Sequence, residues 1–425
     1  MALLAAATGW LVLTRPVHRI EGDFLLREDR AVLDAWLVEQ LQSPIAETRA
    51  RAFLALARVA GRGAADRLAS AMTDPAPSVR AHAAFAAGNL YDSRGPEGAP
   101  PQAVRSGLLA LLADDDRVVV TRAAAALGKA GIEEAIPQIT SSAAPIATSM
   151  TAVMRVGATG ESDFVAEYLD SDDQDSRWAA ALAAAELEFA GEGLVRRRLL
   201  PLLTDENEFV RAAALRAAAV APQAEEMHEA VQENLSHTDP KVRFEARLAT
   251  AAIEGGTVRQ MLPAGEPDLG LALMGMTLNP LLAPADYQRV AKTLGVRLRM
   301  STSLGDFDIE LDYDQAPLTS EHFRRLAGDG AFDGSRFFAV RPNGYAAAGA
   351  GMALIRSELN PKPFLRGSLG LLRQGNDSGG GFFLCHTALP LADGRYVNFG
   401  RLVSGDQRLD SIATGAEVLQ IREIP

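Results

Sequence analysis

Phe337-Phe338-Ala339-Val340-Arg341-Pro342-Asn343-Gly344-Tyr345-Ala346-Ala347-Ala348-Gly349 decides how the last third of this 425-residue chain is read. As a β-strand, residues 337–341 point positions 339 and 341 to the same face, about 6.6 Å apart at roughly 3.3 Å per residue. Upstream, Phe307, Ile309 and Leu311 alternate with Asp306, Asp308, Glu310 and Asp312, the period of two that marks a half-buried strand. Asp333-Gly334 and Asp393-Gly394 punctuate the runs as turns.

Further blocks follow in order around this stretch. Thr302–Leu311 reads as an opening strand and Ala316-Pro317-Leu318-Thr319-Ser320-Glu321-His322-Phe323 as a helix start. Arg366–Leu371, Gly380–Cys385 and Asp393–Gly405 lie downstream. Together they resemble the cyclophilin-type peptidyl-prolyl isomerases, whose active-site strand has the form F-[HF]-R-[VI]-x-P-x-F-x-x-Q-G-G. Phe337, Val340, Pro342 and Gly349 fit that form, and Tyr345 fits its aromatic position with Asn343-Gly344 as a one-residue insertion. The resemblance implies a small closed antiparallel β-barrel with capping helices over residues 299–425.

It also implies a chemistry, and a gap in it. Rotation about a peptide bond faces a barrier of about 18–20 kcal/mol, and X-Pro bonds take tens to hundreds of seconds unaided. In the family the strand arginine is taken to stabilise the twisted amide selectively, and here Ala339 occupies its place. Loss of one preorganised donor costs about 2.7–4 kcal/mol, on the order of 10²–10³ in rate. Ala348, Arg373, Gly381 and Tyr396 likewise replace the family's glutamine, asparagine, glutamine and histidine. The apolar proline pocket is better kept: Phe383, Tyr345, Leu391 and Leu372 hold its positions, with Ala346 for a methionine. Phe383, Tyr345, Leu391, Tyr396, Leu372 and Arg373 are therefore the expected peptide-binding residues. Arg341, on the face of Ala339, is the candidate for a partial catalytic replacement; the alternative is that it reaches out to solvent.

The chain before residue 257 is organised differently. Acidic or turn residues followed by an arginine that opens an Ala- and Leu-rich helix recur at Ser43–Arg49, Asp74–Arg80, Asp116–Arg122, Asp173–Arg177, Asp205–Arg211 and Asp239–Arg243. The spacing is 31 between Arg49 and Arg80, 34 between Arg177 and Arg211 and 32 between Arg211 and Arg243. Each unit reads as helix, Asp-rich turn and helix, and the D-P-x-V-R turn resembles HEAT-like repeats. A single unit cannot bury its own apolar face, so about seven would stack into an α-solenoid whose concave side suits a protein partner. An arginine repeated at one place in every unit is expected to pair with the acidic residue of the neighbouring turn.

The expected organisation is an apolar N-terminal segment (1–22), a helical array (23–256), a helical connector (257–298, with short helices at Leu269–Met276 and Asp286–Leu294) and the cyclophilin-like domain (299–425). Hydrophobic content of 48% is ample for real cores. The net charge of −12 belongs mainly to residues 1–298, with 29 Lys and Arg against 39 Asp and Glu, and disfavours nucleic acid. Ala2–Thr14 is uncharged and apolar, too short to span a bilayer readily but suited to a signal-peptide core. It points to a bacterial envelope location, periplasmic or membrane-anchored, with the membrane touched only by that segment. Read instead as a capping helix, it leaves the protein cytoplasmic. One cysteine and six scattered histidines give no metal-ligand spacing, so no cofactor or metal is expected. Two functions follow: an isomerase acting on X-Pro bonds of protein clients with weak or absent activity, or a catalytically silent module that binds proline-containing segments.

Overall fold

Short polar side chains open four of the long N-terminal helices. Asp116 accepts from Val118 N (2.8 Å) and Val119 N (3.2 Å), and Asn207 from Phe209 N (2.9 Å) and Val210 N (3.2 Å). Asp239 does the same for Lys241 N (2.7 Å), and Asp173 for Ser176 N (3.0 Å). These bonds satisfy N–H groups that the first turn of a helix leaves free. The computed structural model describes residues 20–93, 98–256, 280–349, 355–374 and 377–425. The apolar segment Ala2–Thr14 and the expected helix Leu269–Met276 lie outside the described residues.

Behind α1 (Glu21–Arg30), seven long helices pack side by side in one row, each against the next: α2 (Ala46–Ala60), α3 (Pro77–Leu90), α4 (Arg117–Lys129), α5 (Ile146–Val156), α6 (Gln174–Glu186), α7 (Glu208–Ala219) and α8 (Pro240–Ile253). Shorter helices, such as Ala65–Ala71 beside Gln102–Ala110 and Ser162–Leu169 beside Gly193–Leu199, form a second row. Small residues set the spacing of the inner row. A Cβ on Gly88 would lie 2.8 Å from Ala126 Cα, and one on Gly128 would lie 2.7 Å from Ala152 Cα. Among the described residues no helix is long and apolar enough to cross a membrane.

Arginines tie one long helix of the row to the turn near the next. Arg49 forms a two-pronged bond with Asp74 (3.0 and 2.9 Å), Arg80 with Asp114 (2.7 and 2.8 Å) and Arg177 with Asp205 (2.9 and 3.4 Å). Each of the three carboxylates also accepts the backbone N–H two residues on, at Ala76, Asp116 and Asn207. Arg122 corrects the sequence alignment of these units. The stitching arginines stand four residues after the N-cap, a place held in α4 by Val120; Arg122 stands two further on and donates to Pro361 O in the C-terminal domain (3.2 Å).

The C-terminal domain is a curled antiparallel sheet of ten strands. Nine run β3 (Ser335–Arg336), β10 (Glu417–Ile424), β1 (Arg297–Thr302), β2 (Gly305–Leu311), β9 (Val397–Ser404), β7 (Ser368–Gln374), β8 (Asp377–Cys385), β5 (Tyr345–Ala348), β4 (Ala339–Arg341); β6 (Ile355–Arg356) pairs with β8 off this path. The alternation at Phe307, Ile309 and Leu311 appears as three buried side chains. The sheet curls until its two terminal strands, β3 and β4, come from one stretch of chain, β3 pairing with β10 and β4 with β5. They are successive pieces of one segment, and the residues between them reach opposite edges, Phe337 N bonding to Ala416 O (2.9 Å) and Phe338 N to Ala347 O (3.0 Å). Helix α9 (Pro317–Gly328) covers one side of the sheet, with Phe323 set against Phe332, Phe382 and Phe399 at ring distances of 4.9, 5.3 and 4.9 Å.

Helix α1 belongs to both parts. Phe24 lies in the apolar cluster of the array, whereas Leu25 lies in that of the sheet with Leu298, Phe307 and Ile309. Its Asp29 accepts from Leu281 N (2.8 Å), Leu282 N (3.2 Å) and Tyr287 OH (2.7 Å) of the connector. The expected helix at Asp286–Leu294 is reduced to one turn, Tyr287–Val290, after which Lys292 N and Thr293 N bond to carbonyls only three residues back.

Candidate functional site at the meeting of array and sheet

Strands β4 and β5 pair Ala339 with Ala347 and Arg341 with Tyr345. Directly opposed residues share a face, so Ala339 and Arg341 stand on the face of Tyr345 and Ala347. The turn between the strands passes through Asn343, whose φ of 57° is left-handed, and closes with Gly344 N bonding to Arg341 O (2.9 Å). Asn and Gly tolerate such backbone. The insertion carries a contact of its own: Asn343 Nδ2 donates to Lys241 O (3.0 Å) and to Glu245 Oε1 (2.9 Å) on α8.

Tyr345, Leu372, Phe383 and Tyr396 come together in one buried cluster with Ala347, Phe364, Cys385, Leu389 and Ala392, against which Ala339 packs. Phe383 is its centre and is fully buried. Its ring lies 5.3 Å from Phe364, 5.4 Å from Tyr396 and 6.1 Å from Tyr345, the last two edge-on. Gly370 permits this, because a Cβ there would lie 2.0 Å from Phe383 Cζ. Leu391 is also buried but sits outside the cluster, lining a crevice of about 40 Å³ between Gly344 and Pro390 on one side and Trp178 and Phe209 on the other. Arg341 is exposed, and its side chain makes no hydrogen bond or ion pair among the described residues. The side chain of Arg373 is outside the described ones.

The loops around this cluster are held by the array. Arg58 donates to Leu359 O (2.9 Å), Lys129 to Gly394 O (2.7 Å), and Arg155 to the carbonyls of Pro390 (3.0 Å), Leu391 (3.3 Å) and Asp393 (2.8 Å). Arg395 of the sheet domain reaches back to Asp92, just past α3 (2.8 and 3.1 Å). Loops of the C-terminal domain thus lie against α2, α4, α5 and α8 of the array. Sequence reasoning missed Phe364, Leu389 and Ala392 in the pocket and missed Arg58, Lys129 and Arg155 altogether. The position of Arg122, two residues past the stitching place, was the one available signal that some cations face inward.

Burial governs the ionisable groups here. It raises the Asp393 carboxyl to about 7, although Phe364 N donates to it (2.6 Å) and Arg155, Arg122 and Lys129 favour its charged form. Burial likewise raises Glu358, which accepts from Thr319 N (2.6 Å), to about 7. It lowers Arg122 to about 10 and His386 to about 4, so His386 is neutral at pH 7. A neutral, buried histidine and a buried thiol pushed well up at Cys385 are poor catalysts. Among the described residues no group of three or more His, Cys, Asp or Glu is placed to hold a metal ion.

Residues 297–423 match the family described as "Cyclophilin type peptidyl-prolyl cis-trans isomerase/CLD". A peptidyl-prolyl cis-trans isomerase of Helicobacter pylori (strain ATCC 700392 / 26695) is 33% identical over 142 residues, covering 30% of this chain and 85% of that protein. Peptidyl-prolyl cis-trans isomerase B of Bacillus subtilis is 29% identical over 126 residues, covering 27% and 88%. Among solved structures, a cyclophilin-type isomerase of Cryptosporidium parvum aligns at 20% identity and a TM-score of 0.29, covering 31% of this chain and 98% of that one.

Proposed function

This chain belongs, through residues 297–423, to the cyclophilin-type peptidyl-prolyl cis-trans isomerases, and from that membership we propose an isomerase domain whose activity on X-Pro bonds of protein clients is weak or absent, borne on a HEAT-like solenoid. The observation that carries this reading is Ala339. It stands on the pocket face opposite Ala347, where the family's arginine would supply the donor that stabilises a twisted amide. Any residual turnover is assigned to Arg341, the one guanidinium on that face of the strand. The Ala2–Thr14 stretch supports placing the protein in the bacterial envelope.

A protease-free isomerisation assay on the full chain with an Ala-Pro tetrapeptide tests the proposal. Run beside a relative that keeps the strand arginine, the chain is expected to be at least about 10²-fold slower, the order that one preorganised donor contributes, and Arg341→Ala abolishes what remains. A rate within about tenfold of that relative's would overturn the weak-activity reading. Turnover that survives Arg341→Ala unchanged would overturn the role given to Arg341.

The preserved aromatic cluster of Tyr345, Phe383 and Tyr396 favours a second reading, a silent module that binds proline-containing segments. Measurable binding of an X-Pro peptide with no rate enhancement selects it.

A further inference from the structure

Array and sheet meet in two zones that differ in whether a core is shared. At α1 it is: Phe24 lies in the core of the array and Leu25 in the core of the sheet, beside the hydrogen bonds of Asp29, so the two cores share one helix. Around the pocket no core is shared, and apart from Leu389, Pro390 and Leu391 facing Trp178, Leu182 and Phe209 across the crevice the join is made by hydrogen bonds. Arg58, Arg122, Lys129 and Arg155 end on loop carbonyls, Arg395 pairs with Asp92, and Asn343 bonds to Glu245. The pocket cluster stays separate from both apolar clusters of the array, and the crevice at Trp178 and Phe209 leaves the seam incompletely filled. A shared apolar core resists separation because opening it exposes hydrocarbon to water. Hydrogen bonds can be exchanged for bonds to water at much smaller net cost, and polar faces between domains permit relative motion.

From this asymmetry we propose that the array is a releasable cover on the pocket, anchored at α1 and latched by the polar contacts at the loops around residues 341–345 and 386–396. With the latch made, the rim residue Leu391 faces the array, and the loop that carries Leu389 and Tyr396 is held over Phe383. With it broken, the rim faces solvent and accepts an extended X-Pro segment. The inference rests on the reading that this pocket takes proline-containing segments.

A charge swap on the full chain tests it. Asp92→Arg or Arg395→Asp alone sets like charges against each other at the latch, whereas the double swap restores an opposite pair. Fluorescence anisotropy of a labelled Ala-Ala-Pro-Phe peptide reads binding, and hydrogen exchange of the amides of residues 386–396 reads opening. Each single variant is expected to bind at least tenfold more tightly than the native chain and to exchange at least tenfold faster in that loop. The double swap returns both towards native. Unchanged exchange in the inner row of the array and in β1 and β2 shows that the fold is intact. Should the single swaps disturb it, Arg155→Gln opens the same loop by removing three bonds to its carbonyls. Equal binding by native and opened chains overturns the cover and leaves peptide binding standing. Faster loop exchange without binding in any variant overturns both. Loop exchange unchanged in every variant overturns release.

Discussion

Asp393 is a carboxyl that three cations surround and that burial still keeps protonated near neutrality. Its value of about 7 against an ordinary 3.8 means that the folded chain holds a proton which the unfolded chain releases. The contribution of this group to stability is therefore full below pH about 4, is lost as pH rises to about 7, and stays lost above. Asp393→Asn removes the titration while its amide oxygen can still accept from Phe364 N. Stability of the native chain minus that of Asp393→Asn is expected to fall between pH 4 and pH 7 and to level off above, by chemical denaturation at each pH. A difference that stays flat across that window would refute the buried-carboxyl account. Nothing in the sequence distinguishes Asp393 from any Asp-Gly turn, because its environment is made by α4 and α5, more than two hundred residues away. Ala339 is the opposite case: the missing donor is legible from the strand itself, since a methyl group cannot donate in any environment.

At the scale of elements, the helices of the N-terminal region rest on local physics and were readable for that reason. Capping by Asp and Asn, Pro in the first turn and runs of Ala at helix interfaces act within a few residues of where they are written. The close approach of the inner helices gives a direct test. Gly128→Ala puts a methyl 2.7 Å from Ala152 Cα, a backbone atom that cannot swing aside. The expected loss is about 1–3 kcal/mol, read as a lower denaturation midpoint with unchanged denaturant slope; no loss would mean that α4 and α5 can part freely. The alternating strand Phe307–Leu311 was equally plain, but the path of residues 335–341 was not: the segment pairs with β10 at its start and with β5 at its end, and how near those two edges lie depends on a curl summed over all the strands. The insertion Asn343-Gly344 could be seen in the sequence as an extra residue, and only its bonds to Lys241 O and Glu245 give it a purpose.

Across the whole molecule, the helical array and the sheet share an apolar core through α1 and share none around the pocket, where hydrogen bonds hold the loops. Leu25 is twenty-odd residues from the start of the chain, yet it is fully buried in a cluster with Leu298, Phe307 and Ile309. Leu25→Ala is expected to cost about 2–5 kcal/mol, with faster hydrogen exchange in β1 and β2 as well as in α1. Exchange that accelerates in α1 alone would show that the two cores are not shared. By itself the sequence determined the N-terminal helices, the antiparallel sheet of the cyclophilin kind and the alanine at position 339, because these depend on residue chemistry and on short periods along the chain. Tertiary structure alone decided that the array lies on the pocket, that Phe383 is sealed beneath Phe364 and Tyr396, and that Arg155 and Arg122 spend their charge on loop carbonyls. The contacts between array and sheet join residues 98 to 303 positions apart, and no local pattern records which distant surface a side chain will meet.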